Sequence, residues 1–271
     1  MEATARLKFV GDLEVCDYFD LLVDPAYEDE VATALIPTLL QPDGEDVALC
    51  LQNLSAASRT PALLRRNLEA HGLTVTIDEI ETCPTITLPD NWNDYLALLR
   101  GKDRHELRRK IRRAEATVRI EYAITHDTET LAENLETFFA LHRMSQQDDK
   151  REFMTEDKAA FFRDMAQQMW HAGWFDLIVL FADGVAVAAL CSLPYGTTYA
   201  AYNAGYHPDY AHLSAGILLF ANRIQAAIAQ RCSAFDFLRG NESYKYRFGA
   251  SDQPLSRLLA RTACSVSGSC S

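Results

Sequence analysis

The stretch "TTYAAYNAGYHPDYAHLSAGILLFANRIQAAIAQRCSAFDFL" runs from Thr197 to Leu238 and changes its period twice. Its first part, "TTYAAYNAGYH", is rich in Thr and Tyr, which suit a strand. Strand alternation places Tyr202, Ala204 and Tyr206 on one face and Tyr199, Asn203 and Gly205 on the other. The loop "PDYAHLSAG" follows. Leu213, Ile217, Phe220, Ile224 and Ile228 then recur at helical spacing along one side of a long helix. "AFDFL" closes the stretch as a short apolar strand.

Beyond that strand the character changes. "FDFLRGNESYKYRFGA", Phe235 to Ala250, passes at once from a core strand to an acid, two tyrosines and three basic side chains. Asp236, between Phe235 and Phe237, is either buried and paired or directed into a cleft, and Arg239 is a candidate partner. Glu242, Tyr244, Lys245 and Arg247 follow. The cluster reads either as a site that handles charge or as an internal salt-bridge knot, and such knots are weak stability devices.

Upstream, "FDLIVLFA" and "VAVAALCSL" read as strands joined by a two-residue Asp183-Gly184 hairpin turn. Before them, Leu131 to Met144 forms an amphipathic helix, and Thr155 can cap another that runs to about Trp170. "VRIEYAIT" is a strand. Asp90 or Asn91 can cap a helix carrying Trp92, Tyr95, Leu96 and Leu99 on one face. Gly101 interrupts it, and the basic helix "KDRHELRRKIRRAEA" follows. In the N-terminal third, "RLKFVG", "DVALCLQNL", "LTVTIDEI" and "TCPTITLP" read as four strands. "YEDEVATALIPTLLQ" and "TPALLRRNLEAHG" read as helices, the second stopped by Gly72. The class is α/β (α+β). A boundary falls near Pro89, which gives an N-terminal unit over 1–89, a second unit over 90–254 and a tail over 255–271.

The formal net charge of −12 argues against non-specific binding to nucleic acid or anionic membrane. Against that background, Lys102 to Arg113 carries seven Lys/Arg and two acids. Its bland reading is a solvated helix held by pairs such as Glu106 with Lys110. The seven cysteines are odd in number and form no C-x-x-C pair, so they read as reduced, cytoplasmic thiols. No His spacing suits a metal. No apolar run reaches the roughly 20 residues of a membrane span.

Four segments occur in order: "YLALLRGKDRHELRRKIRRAE", "FMTEDKAAFFRDMA", "GYHPDYAHLSAGILL" and "FDFLRGNESYKYRFGA". Together they resemble the CelD/BcsL-type acyltransferases, a branch of the GNAT superfamily related to the FemAB aminoacyl-transfer proteins. The resemblance runs from about Phe9 to Ala250 and is densest after Trp92. It implies two GNAT-like units in tandem, the first degenerate, with a mostly antiparallel mixed sheet flanked by helices. Here the first unit starts nearly on a strand, which suggests a short variant or a misplaced start. Relatives tend to have Asp where this chain has Asn241, so Asn241 is not counted as an acid.

The resemblance also implies a reaction. An acyl group passes from acetyl-CoA or another acyl-CoA, a co-substrate and no resident cofactor, to an amine or hydroxyl acceptor, with polysaccharide or envelope biosynthesis, such as cellulose, as the setting. Phosphates suit the start of a helix, which points to Ser214, Ala215 and Gly216. The blander reading is a helix capped by Ser214. Tyr202 is expected along the donor cleft. Glu242 is the candidate base, Tyr244 the acid for a leaving thiolate, and Asp236 and Lys245 complete the catalytic set. Arg239 and Arg247 offer charge to a phosphate. Two alternatives stand: a transferase that uses aminoacyl-tRNA, as FemAB relatives do, and a GNAT scaffold without catalysis.

Overall fold

The computed structural model describes residues 6–40, 48–145 and 153–262. In chain order the elements are β1 (Arg6–Leu7), α1 (Glu28–Leu39), β2 (Ala48–Ser55), α2 (Thr60–Ala70), β3 (Thr74–Thr87), α3 (Trp92–Leu98), α4 (Gly101–Thr117) and β4 (Ile120–Ile124). Then come α5 (Thr128–Met144), α6 (Glu156–His171), β5 (Asp176–Ala182), β6 (Val185–Tyr195), β7 (Thr198–Tyr206), α7 (Ala215–Ala229), β8 (Ala234–Asp236), α8 (Ser243–Arg247) and β9 (Ser251–Arg261). They divide into two compact units. One holds the described residues up to Cys83, with Arg239–Asn241 and 252–262; the other holds the described residues of Pro84–Leu238 and Glu242–Ser251.

In the first unit β1 pairs parallel with β2, and β2 pairs antiparallel with β9. Ile36 of α1 and Leu64 and Leu68 of α2 close over Leu54 and Leu258, all at most 1% exposed. Burying each such side chain contributes about 2 kcal/mol. Residues 255–261 were expected in a tail, but Leu255, Leu258 and Ala260 are buried and the segment is a strand. "LTVTIDEI" and "TCPTITLP" form one strand, β3, where two were expected. Pro84 does not end it, because a strand needs no N–H at every position and the Pro84 carbonyl still accepts from Phe237 N–H at 3.0 Å. Cys16, Cys83, Cys191 and Cys232 are free thiols, whereas Cys50 is disulfide-bonded, a departure from the expectation of reduced thiols throughout. Cys264 and Cys270 lie outside the described residues.

In the second unit the strand order is β3-β8-β7-β6-β5-β4, antiparallel except for β7 with β8. Period-2 alternation sends neighbouring residues to opposite faces. Ile178, Leu180, Ala188 and Leu190 meet α3, α4 and α7. Leu177, Val179, Ala189 and Cys191 meet α5 and α6. The helix starts follow local chemistry: Asn91 caps α3, Asp127 and Thr130 form a capping box on α5, and Thr155 caps α6. Asp183 and Gly184 have φ of 48° and 82°, which the hairpin turn requires. Beneath α7, the Arg223 guanidinium meets Asp176 at 2.8 Å, and Asp176 also accepts from the Tyr199 hydroxyl.

Among the described residues of the second unit, two bulges break the alternation. Leu180 and Phe181 pair with Ala188 and Ala186, which leaves Val187 as an extra residue on β6. Cys191 and Ser192 pair with Asn203 and Ala201, which leaves Tyr202 extra on β7. A bulge re-aims every side chain beyond it.

Candidate functional site

β7 and β8 are paired only over Thr198–Ala200 and Ala234–Asp236. β7 continues to Tyr206 while β8 stops. A cleft of about 550 Å³ is lined by residues from beyond that shared segment: Tyr206 and the loop after it, Ser214 to Ile217 and Phe220 of the helical segment, and Glu242 and Tyr244. Ser145 and Val187 also line it.

The helix start is built for close approach. Pro208–Leu213 is a 3-10 turn that ends at Ser214, whose φ of 55° and ψ of 43° are left-handed. Its carbonyl accepts from Ile217 N–H at 2.9 Å, but its side chain makes no capping bond, so the expected Ser214 cap is corrected. The first N–H groups of a helix have no intrahelical acceptor, and here the small residues Ala215 and Gly216 face the cleft with them. Gly216 is required by packing: a Cβ there would meet Cε1 of Tyr206 at 2.7 Å. Across the sheet, a Cβ on Gly205 would meet the His142 backbone N at 2.5 Å, so only glycine lets α5 lie this close to β7. Ser145 Oγ, at the end of α5, accepts from Tyr206 N–H at 3.2 Å and donates to Leu141 O at 3.1 Å.

Three phenols, Tyr206, Tyr210 and Tyr244, and the Glu242 carboxylate share the cleft wall. Burial, and then the Glu242 carboxylate, push the Tyr206 phenol well above its usual range. Burial raises Tyr244 too, followed by the influence of Tyr206 and Glu242. Tyr206 and Tyr244 therefore stay protonated at neutral pH and can donate. Tyr244 stacks on Phe220 at 5.4 Å between ring centroids. Glu242 is half-exposed, and its Oε2 accepts from Lys245 Nζ at 2.9 Å.

Of the residues anticipated from sequence, Ser214, Ala215, Gly216, Glu242 and Tyr244 meet in this one cleft. Lys245, 2% exposed, lies behind it and donates to Leu238 O at 3.1 Å. Asp236 is buried and accepts from Leu238 N–H at 2.7 Å. Leu238 has φ of 57°, so these two charged groups hold both ends of a left-handed peptide, a conformation that costs about 1–2 kcal/mol for a residue with a Cβ. Three residues lie elsewhere. Tyr202, as the bulged residue, faces away from Ala204 and Tyr206 and stacks on Phe162 at 5.6 Å, which corrects its expected face. Arg239 belongs to the first unit, where its Nε donates to Asp17 at 2.8 Å and it also donates to Leu13 O. Arg247 lines a separate small cleft with Asp103, Glu106 and Lys110. Phe220, Val187 and Ser145 were not anticipated; Phe220 was visible only as one apolar position on the helix stripe.

Among the described residues, no group of three or more His, Cys, Asp or Glu is placed to hold a metal ion. No described helix is long and apolar enough to cross a membrane. The acetyltransferase (GNAT) domain model matches residues 101–246. In structure the chain is similar to FemX, at 12% identity and a TM-score of 0.62 over 88% of this chain and 78% of that one. It is similar to L-PGS from Bacillus licheniformis, at 12% identity and a TM-score of 0.59 over 86% and 74% of the two chains. A conserved protein of unknown function from Bacteroides thetaiotaomicron VPI-5482 is also similar, at 17% identity and a TM-score of 0.55 over 84% and 75%. At such identities the likeness is one of fold. No curated protein matches the sequence.

Proposed function

This chain belongs to the acetyltransferase (GNAT) domain family and has its α/β fold, and on that premise we propose that it transfers an acyl group from an acyl-CoA to an amine or hydroxyl acceptor in the cleft beside Gly216. The observation that carries this reading is the meeting of a bared helix start, a carboxylate and two protonated phenols around one cleft. The donor's phosphates bind at the first turn of α7, on Ala215 and Gly216. Glu242 takes the proton from the acceptor as the new bond to the acyl carbon forms. The carbon–sulfur bond breaks, and Tyr244 gives its proton to the departing thiolate. Asp236 and Lys245 act as positioning residues that hold the Leu238 turn from which Glu242 and Tyr244 extend. The CelD/BcsL resemblance supports a setting in polysaccharide or envelope biosynthesis, and the free thiols of Cys83 and Cys191 support a cytoplasmic site of action.

A second reading keeps the cleft and changes the donor to aminoacyl-tRNA. It is supported by the single glycine at the helix start, a spare phosphate loop, and by the likeness to FemX. Thermal unfolding with coenzyme A and, separately, with charged tRNA decides between them. Stabilisation by coenzyme A that Gly216→Val abolishes is the expected result. Stabilisation by charged tRNA alone would overturn the acyl-CoA reading, and no response to either would favour a scaffold without catalysis.

A further inference from the structure

A second cleft, about 700 Å³, lies between α3, α4 and α7, lined by Trp92, Arg104, Arg108, Ile111, Arg112 and Gln225 among others, with no carboxylate among the described residues of its wall. The three arginines recur every four residues, so they share one face of α4 and follow each other at about 6 Å. Of the three acids of the helix, Glu115 does not line the cleft, and the other two are paired. Asp103 meets Arg100 at 2.6 Å, and Glu106 meets Arg109 at 2.7 Å and Lys110 at 3.9 Å. Among the described residues, Arg104 and Arg112 make only long bonds, to the Leu96 and Arg108 carbonyls at 3.4 and 3.3 Å. Arg108 is exposed, and among the described residues its guanidinium has no hydrogen bond or ion pair. Three guanidinium groups in a row, unneutralised in a chain of net charge −12, form a local positive field that the overall composition opposes. Guanidinium groups match phosphate oxygens in geometry and hold them by paired charge-assisted bonds.

We propose that this cleft is a second binding site, for a ligand bearing two or more phosphate groups, held by Arg104, Arg108 and Arg112 beside Trp92. The site stands on its own residues and is independent of which acyl donor the first cleft takes.

Trp92 supplies a local readout once the chain's two other tryptophans are removed as Trp170→Phe and Trp174→Phe. In that background its emission is titrated with inorganic pyrophosphate and, separately, with a short single-stranded oligoribonucleotide. The expected result is a saturable response whose half-point rises about tenfold in Arg108→Ala, the loss of one charge-assisted contact. Arg109→Ala, on the paired face, leaves it unchanged. Circular dichroism checks that each variant folds. Response to pyrophosphate alone assigns a small phosphorylated ligand; tighter binding of the oligoribonucleotide with the same Arg108 dependence assigns a nucleic-acid strand. No response to either probe, a response indifferent to Arg108→Ala, or an equal loss in Arg109→Ala would overturn the proposal.

Discussion

Gly216 lies against the ring of Tyr206 so closely that any β-carbon on it would fall 2.7 Å from Cε1 and 3.3 Å from the hydroxyl oxygen. Gly216→Ala therefore displaces a partly buried ring in the cleft wall. Overpacking of this kind destabilises by about 1–3 kcal/mol. Thermal denaturation should show that loss, and the stabilisation given by coenzyme A should fall with it. An unchanged coenzyme A response in Gly216→Ala would remove the phosphate role from this helix start.

Glu242 is half-exposed, so Glu242→Gln should fold normally. If Glu242 is the base, acyl transfer should fall by about a hundredfold or more, with the KM for the acyl donor nearly unchanged. Steady-state rates with a fixed amine acceptor measure this. Wild-type turnover in the variant would assign the proton transfer to another group.

Asp236 and Lys245 hold the two ends of the Leu238 peptide, the first on its N–H and the second on its carbonyl. Removing either leaves a buried polar group unpaired, at a cost of about 1–3 kcal/mol. Asp236→Ala and Lys245→Met should each lower the midpoint of urea unfolding. Because they act on one turn, the double variant should lose less than the sum of the two. Full additivity would show that the turn is not a unit.

Tyr95, Tyr199, Tyr206 and Tyr244 are all raised above the usual phenol value of 10, chiefly by burial. A raised folded value means the folded state favours the neutral phenol. The stability this gives is complete below the unfolded pKa of about 10 and is lost as pH rises from there through the folded values. Near-ultraviolet titration should therefore find these phenols silent until the chain unfolds in alkali. Early ionisation of Tyr244 would argue against its role as the proton donor.

Within Thr197–Leu238 the long helix was legible from its unbroken helical period and the strands from their Thr, Tyr and Phe content. The polar cluster after Phe237 was legible as a place of interest, and Glu242 and Tyr244 do line the cleft. The fate of Arg239 was not legible. Its partner, Asp17, is more than two hundred residues away in sequence, and local spacing carries no trace of it. The strand character of Ser251–Arg261 was missed for a similar reason, since its register is set by β2, far upstream. Tyr202 failed through counting: strict alternation assumes no extra residue, and the bulge places one there.

That extra residue is spare as far as the ladder is concerned. Deleting the codon for Tyr202 would join Ala201 directly to Asn203, and their pairings with Ser192 and Cys191 would both be kept, now as neighbours in a regular ladder. Tyr206 would keep its place opposite Ala188, and Asn203 its contact with His142, whose Nε2 it meets at 3.1 Å. What would go is the ring stacked on Phe162 and the added twist that a bulge gives its strand. Removal of any other single residue of this strand leaves the count wrong unless the bulge itself migrates, so position 202 is where the segment should best tolerate being one residue shorter.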